Sequence, residues 1–197
     1  MKRDIAEEYL KLGWHVVATT RGSAKTKLHD LAAASGGLLE IETVDITFPD
    51  QVIGLRARLA ARKFDLLFIN AGVKNDDRET IADVSTDEFV RVMVTNALSP
   101  MRVIETLQDV VLPTGTIGVM SSGHGSVTNN ESGKYEVYRG SKAALNMFMR
   151  SFAARRRDDD RTLLLLASQA LQISYENLSA RNLQSASTVV VPQNHDR

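Results

Sequence analysis

Cysteine is absent from the 197 residues, which excludes a disulfide framework and any thiolate metal site. Excess charge of one sign is absent as well: 24 basic side chains balance 24 acidic ones, so no broad attraction to nucleic acid or to an anionic membrane is expected. No apolar run approaches the ~20 residues that span a bilayer, and the N-terminal stretch has no apolar core of a secretory signal. A cytoplasmic location and a small-molecule partner are the expectations that remain. Histidine is sparse, with His15, His29, His124 and His195 scattered without ligand spacing, and no metal site is expected. Repeats and long low-complexity linkers are missing too. With 43% hydrophobic residues, the chain can bury one sizeable core, and one domain is the simplest division.

What is present alternates. Ile5, Tyr9 and Leu12 share one face of a helix over residues 3–12 that Gly13 stops. His15 to Thr20 reads as a strand, Lys25 to Ala34 as a helix, Leu38 to Val44 as a strand and Asp50 to Arg62 as a helix. Phe64 to Ile69 is a near-continuously apolar strand. From Ser85 to about Leu112 a single helix is expected, with Phe89, Val92, Asn96, Val103 and Leu107 on one stripe. Gly115 to Met120 is a fourth strand, the stretch from Tyr138 to about Arg157 is a long helix, and Thr162 to Ala167 is a last apolar strand. Apolar strands alternating with amphipathic helices imply an α/β fold, a parallel sheet covered on both faces.

Chemistry concentrates in the long helix. Leu145, Phe148, Met149 and Phe152 mark its core face, and Tyr138 and Lys142 are one turn apart. A free tyrosine titrates near ~10, too high for efficient proton transfer at neutral pH, and an ammonium close by favours the phenolate. Such a pair also arises by chance on exposed helices. Ser121-Ser122 after one apolar run, Asn70-Ala71-Gly72 after another, and Asn96 between them give it weight.

In this order these residues resemble the short-chain dehydrogenase/reductase family, over roughly residues 3–167. Thr95-Asn96-Ala97-Leu98-Ser99-Pro100 followed by the Tyr138 helix looks like the C-factor-like branch of that family. The resemblance implies a Rossmann-like doubly wound sheet and an NAD(P)-dependent oxidoreductase moving hydride between nicotinamide and a carbonyl or alcohol substrate. It makes Tyr138 the general acid/base and gives Lys142 the tasks of lowering the tyrosine pKa and binding the nicotinamide ribose. Ser122, the second serine of its pair, would hydrogen-bond the substrate oxygen. Asn96 is either a satisfied structural amide, the anchor of a water in the proton relay, or both. Cofactor contacts would come from Asn70, Ala71 and Gly72, where Ile69 replaces the first Asn of the family's Asn-Asn-Ala-Gly, and from Asp45 and Ile46 at the adenine, with Tyr138 and Lys142. Asp45 could equally cap a turn. Arg21, after the first strand, suits a 2′-phosphate and points to NADP, with NAD as the alternative and a solvated surface arginine as the plain reading. Ser85 to Leu112 and Tyr138 to Arg157 resemble the pair of helices through which many family members dimerise, with Met101 and Met147 on their second flanks.

Two departures set limits. The family's first strand and its Thr-Gly-x-x-x-Gly-x-Gly turn, which holds the pyrophosphate on backbone amides, have no counterpart here, so the Rossmann-like domain of residues 1–167 is expected to be N-terminally truncated. That absence would leave two strand edges facing each other unpaired. After Ala167 the chain turns rich in Ser, Gln and Asn, with only a weak Leu171/Tyr175/Leu178 stripe. Residues 168–197 therefore read as a divergent tail that can be disordered. The competing reading is a non-catalytic remnant of an oxidoreductase, acting at most as a binding protein.

Overall fold

The computed structural model describes residues 5–167 and the strand at 189–193. Chain order is α1 (Ile5–Lys11), β1 (His15–Thr20), α2 (Lys27–Ala34), β2 (Leu39–Thr43), α3 (Pro49–Arg58), β3 (Phe64–Ile69), α4 (Thr86–Met93), a π-helical turn (Val94–Leu98), α5 (Ser99–Leu107), β4 (Val111–Ser121), α6 (Glu136–Arg155), β5 (Thr162–Ala167) and β6 (Val189–Gln193). Local signals account for most boundaries. Gly13 ends α1 in the left-handed region at φ 79°, where an L side chain would be strained. Pro49 opens α3 at its first turn, where its missing N–H costs nothing, and Ser85 caps α4 by accepting from the Glu88 amide.

The strands form one six-stranded sheet in the order β2-β1-β6-β3-β4-β5. β1 and β2 are parallel, as are β3 with β4 and β4 with β5, which is the doubly wound arrangement expected. One face carries a core that includes Leu55, Ile104, Leu107, Leu145, Met149 and Phe152 from α3, α5 and α6, and the other a smaller core built on Ile5, Ala6 and Leu28 from α1 and α2. Gly118 lets β4 and β3 close up, because a Cβ there would stand 2.7 Å from the Phe68 ring.

Four features differ from expectation. The gap between β1 and β3 is not open: β6 lies in it, antiparallel to both, pairing Val17 with Val191 and Ala18 with Val190 on one side and Phe68 with Val190 and Ile69 with Val189 on the other. The strand edges there satisfy part of their hydrogen bonding from the chain's own C-terminal stretch, although Pro192, opposite Val16, has no amide to give. The helix expected from Ser85 to Leu112 is two helices with a π turn between, and β4 begins already at Val111. Pro100 supplies the reason: it lacks the N–H that would bond the carbonyl of Asn96 four residues back, and a π turn is the local adjustment. The apolar stripes are also narrower than expected. Phe89 is 39% and Phe148 43% exposed, while Val92, Leu145, Met149 and Phe152 are buried. Of the two flank methionines, Met101 packs against the core and Met147 lies open. The tail stripe Leu171/Tyr175/Leu178 and His195 fall outside the described residues.

Among the described residues, no helix is long and apolar enough to cross a membrane.

Candidate functional site

The carboxyl ends of parallel strands are where ligands bind in open α/β sheets, above all where the strand order reverses. That point lies here between β1 and β3. Each sequence-derived candidate outside the helices sits along this edge: Arg21 after β1, Asp45 and Ile46 after β2, Asn70 to Gly72 after β3, and Ser122 after β4. Asn96, Tyr138 and Lys142 reach it from the π turn and α6.

The β3–β4–α6 side is tightly built. Tyr138, Lys142, Ser122 and Asn96 are all buried, Asn96 completely. Ser122 caps a short 3-10 turn, Gly123–Gly125, by accepting from the His124 amide. That turn lies against α6 because residue 125 is glycine, where a Cβ would come within 2.9 Å of the Lys142 carbonyl carbon. Lys142 donates to the Met120 carbonyl at 2.8 Å, and its Nζ stands 5.8 Å from the Tyr138 ring centroid.

Asn96 pins the site from behind. Its Oδ1 accepts from the Val73 amide at 2.8 Å, and its two amide protons go to the Val73 carbonyl and to Ser141 Oγ. Ser141 passes its own proton to the Tyr138 carbonyl at 2.7 Å. The side chain of Asn96 is thus the satisfied structural amide of the plain reading, tying the loop after β3 to α6. Ser141 was not a candidate from sequence, although its place one turn along the helix from Tyr138 offers a signal.

The electrostatics of the pair run against the first expectation. Burial raises the Tyr138 pKa, and the group pulling it down is the Ser122 hydroxyl. Burial also lowers the Lys142 pKa to about 8, because no carboxylate among the described residues compensates its ammonium. The lysine is close enough to act on the ring, while the Ser122 hydroxyl is the group that favours the phenolate.

The adenine-side candidates are looser. Arg21 is exposed. Asp45 Oδ1 accepts from the Thr47 amide and hydroxyl at 2.9 and 2.7 Å, so it does cap a turn, and the Ile46 side chain belongs to the core. Around Tyr138, three residues unmarked in the sequence also gather. Lys74 Nζ stands 5.0 Å from the Tyr138 ring centroid and 5.1 Å from that of Tyr135. The His124 ring meets both tyrosines edge-on, 5.4 Å from Tyr135 and 6.0 Å from Tyr138.

The residues present fit a nicotinamide dinucleotide at one end only. Asn70 is buried, with an Oδ1 that has no partner among the described residues. Gly72 leaves open ground where a Cβ would stand 3.6 Å from Lys142 Nζ. Both suit the nicotinamide and its ribose. At the pyrophosphate end the 197 residues hold no Gly-rich turn, and the strand entering the sheet there is β6, with Val189 opposite Ile69.

A family model described as Enoyl-(Acyl carrier protein) reductase matches residues 2–161. The chain is similar to 1-hydroxy-2-glutathionyl-2-methyl-3-butene dehydrogenase of Rhodococcus sp. (strain AD45), 35% identical over 139 residues that cover 70% of this chain and 60% of that protein. It spans about three fifths of the length of the curated relatives it matches. Among solved structures, a protein described as a short-chain dehydrogenase/reductase from Burkholderia multivorans with bound NADP is 57% identical, with a TM-score of 0.81 over 83% of this chain and 71% of that one. A carbonyl reductase from Pseudomonas aeruginosa PAO1 in complex with NADP is 29% identical, with a TM-score of 0.78 over 86% and 77%.

Proposed function

The chain belongs to the short-chain dehydrogenase/reductase family, and on that premise we propose that it is built for NAD(P)-dependent oxidoreduction of a small carbonyl or alcohol compound, with Tyr138 as the acid/base. The observation that carries this is the gathering of buried Ser122, Tyr138 and Lys142 at the carboxyl edge of the sheet, with Lys142 Nζ 5.8 Å from the Tyr138 ring centroid. When bound, the nicotinamide supplies or accepts the hydride. In the reductive direction Ser122 holds the substrate carbonyl oxygen, and Tyr138 donates the phenolic proton to it as the oxygen gains charge. Lys142, held on the Met120 carbonyl, binds the ribose and stabilises the phenolate left behind. The Asn96 carbonyl, denied its α-helical donor by Pro100, is the acceptor we assign to a water that returns the proton.

Asn70, Ala71 and Gly72 would line the nicotinamide end, and Asp45 and Ile46 the adenine end. Arg21 would favour NADP over NAD by facing the 2′-phosphate, in keeping with the NADP bound in the Burkholderia and Pseudomonas proteins. We place the protein in the cytoplasm, take residues 1–167 as its Rossmann-like body, and take Met147 and Phe148, both exposed, as part of a homodimer face. The test is Tyr138→Phe in a form of the protein that turns over: a loss of about 10²- to 10⁴-fold in kcat with cofactor affinity little changed is expected. Turnover within a fewfold of the parent removes the assignment.

A second reading has its own support. The antiparallel β6 in the central slot favours a non-catalytic scaffold that keeps the buried Tyr138 side and binds dinucleotide poorly.

A further inference from the structure

A second cationic group besides Lys142 stands by Tyr138. Lys74, exposed in the loop after β3, holds its ammonium over Tyr135 and Tyr138 together. Arg139, buried beneath, donates to two neutral acceptors, the Lys134 carbonyl at 2.6 Å and Ser132 Oγ at 3.0 Å. Among the described residues neither forms an ion pair. Of the carboxylates near them in sequence, Asp76 goes to Arg78, Glu79 to the Asn75 amide and Glu136 to the Ile81 backbone N–H, while Asp77 and Glu131 are exposed and form no ion pair with Lys74 or Arg139. The field reaches His124, whose pKa is lowered by burial, then by Arg139, then by Lys74. The neutral imidazole adds no charge of its own, and it contacts Ser122 Oγ at 3.2 Å.

We propose that Lys74, over the paired rings of Tyr135 and Tyr138, is the anion-binding element of the substrate site, and that the substrate is a small oxo or hydroxy acid whose carboxylate lies on Lys74. The inference rests on the reading of Tyr138 as acid/base, which fixes where the reacting oxygen lies. An ammonium held over two aromatic faces is preorganised though still open to a ligand, so a carboxylate needs little reordering to meet it. Lys142 is assigned to the cofactor ribose, and Arg139 is buried and tied down by its two acceptors, which leaves Lys74 as the cation at this face that can meet a substrate.

The test needs no cofactor. Benzoylformate and its methyl ester are titrated onto the 197-residue chain by calorimetry or ligand-observed NMR, with Lys74→Gln and Lys74→Arg in parallel. The acid should bind about tenfold or more tighter than the ester, a preference lost in Lys74→Gln, kept in Lys74→Arg and weakened by salt. Equal affinity of acid and ester in the parent, binding of neither, or a preference unchanged in Lys74→Gln overturns the proposal. NADPH-dependent reduction is scored separately. A Lys74-dependent acid preference together with reduction that survives Tyr138→Phe counts against Tyr138 chemistry while supporting the anion site, and reduction of the ester as readily as the acid counts against the anion site alone.

Discussion

The two halves of the sheet present candidate residues along the same carboxyl edge but hold them very differently. On the β3–β4–β5 side, Asn96, Ser122, Tyr138, Ser141 and Lys142 are buried and linked through the Val73 backbone, the Met120 carbonyl and one another. On the β1–β2 side, Arg21 is exposed, and Asp45 and Ile46 serve a turn and the core. The proposed proton-transfer group and the proposed adenine-side contacts are therefore held in separable parts of this fold. A network of mutually dependent buried hydrogen bonds persists as packing, because breaking one member leaves the others unsatisfied.

Lys142 offers the sharpest break in the comparison, since its burial matters only on the well-built side. Folded, its ammonium titrates near 8, against an ordinary 10.5. Between those values the unfolded chain holds the extra proton, so stability should rise with pH across the window and be fully penalised below it. The difference amounts to on the order of 3 kcal/mol. Lys142→Met should flatten that rise in denaturant melts from pH 7 to 10.5, and an identical slope in parent and variant would mean that the ammonium is solvated.

The weak side can be probed through its central strand. Val190 is opposite both Ala18 and Phe68, so Val190→Pro removes an amide from the ladder and should cost about 1 to 3 kcal/mol, read as a lower urea midpoint. An unchanged midpoint would remove β6 from any part in holding the halves together.

Arg21→Asp should have the smallest effect. An exposed charge contributes about 1 kcal/mol or less, so the affinity ratio of NADP to NAD should fall by roughly fivefold. A ratio that does not move makes Arg21 a surface charge.

How much of this was legible depended on whether the signal was local. β1, β3 and β5 have the bounds expected from sequence, because each is a short apolar run closed by a turn or charge. The Tyr138–Lys142 relation follows from helical spacing alone. The π turn did not show, since it depends on the missing amide of Pro100 acting together with the tertiary bonds of Asn96. Nor did β6: Val189-Val190-Val191 is a β-branched run in plain view, but Pro192 argues against a central strand, and only the vacant slot makes a place for it. Lys74, His124 and Tyr135 sit in or beside loops, where spacing carries no information about which rings will meet.

Titration of the folded 197-residue polypeptide with NADPH, followed by fluorescence or calorimetry, tests most directly whether the tightly built half alone can hold the whole dinucleotide. Two charge-assisted bonds at about 1.5 to 3 kcal/mol each amount to roughly a thousandfold in affinity. A dissociation constant of about millimolar or weaker is expected, with nicotinamide mononucleotide binding nearly as well as the whole dinucleotide. Micromolar NADPH, far tighter than the mononucleotide, would contradict the division of the molecule into these two halves.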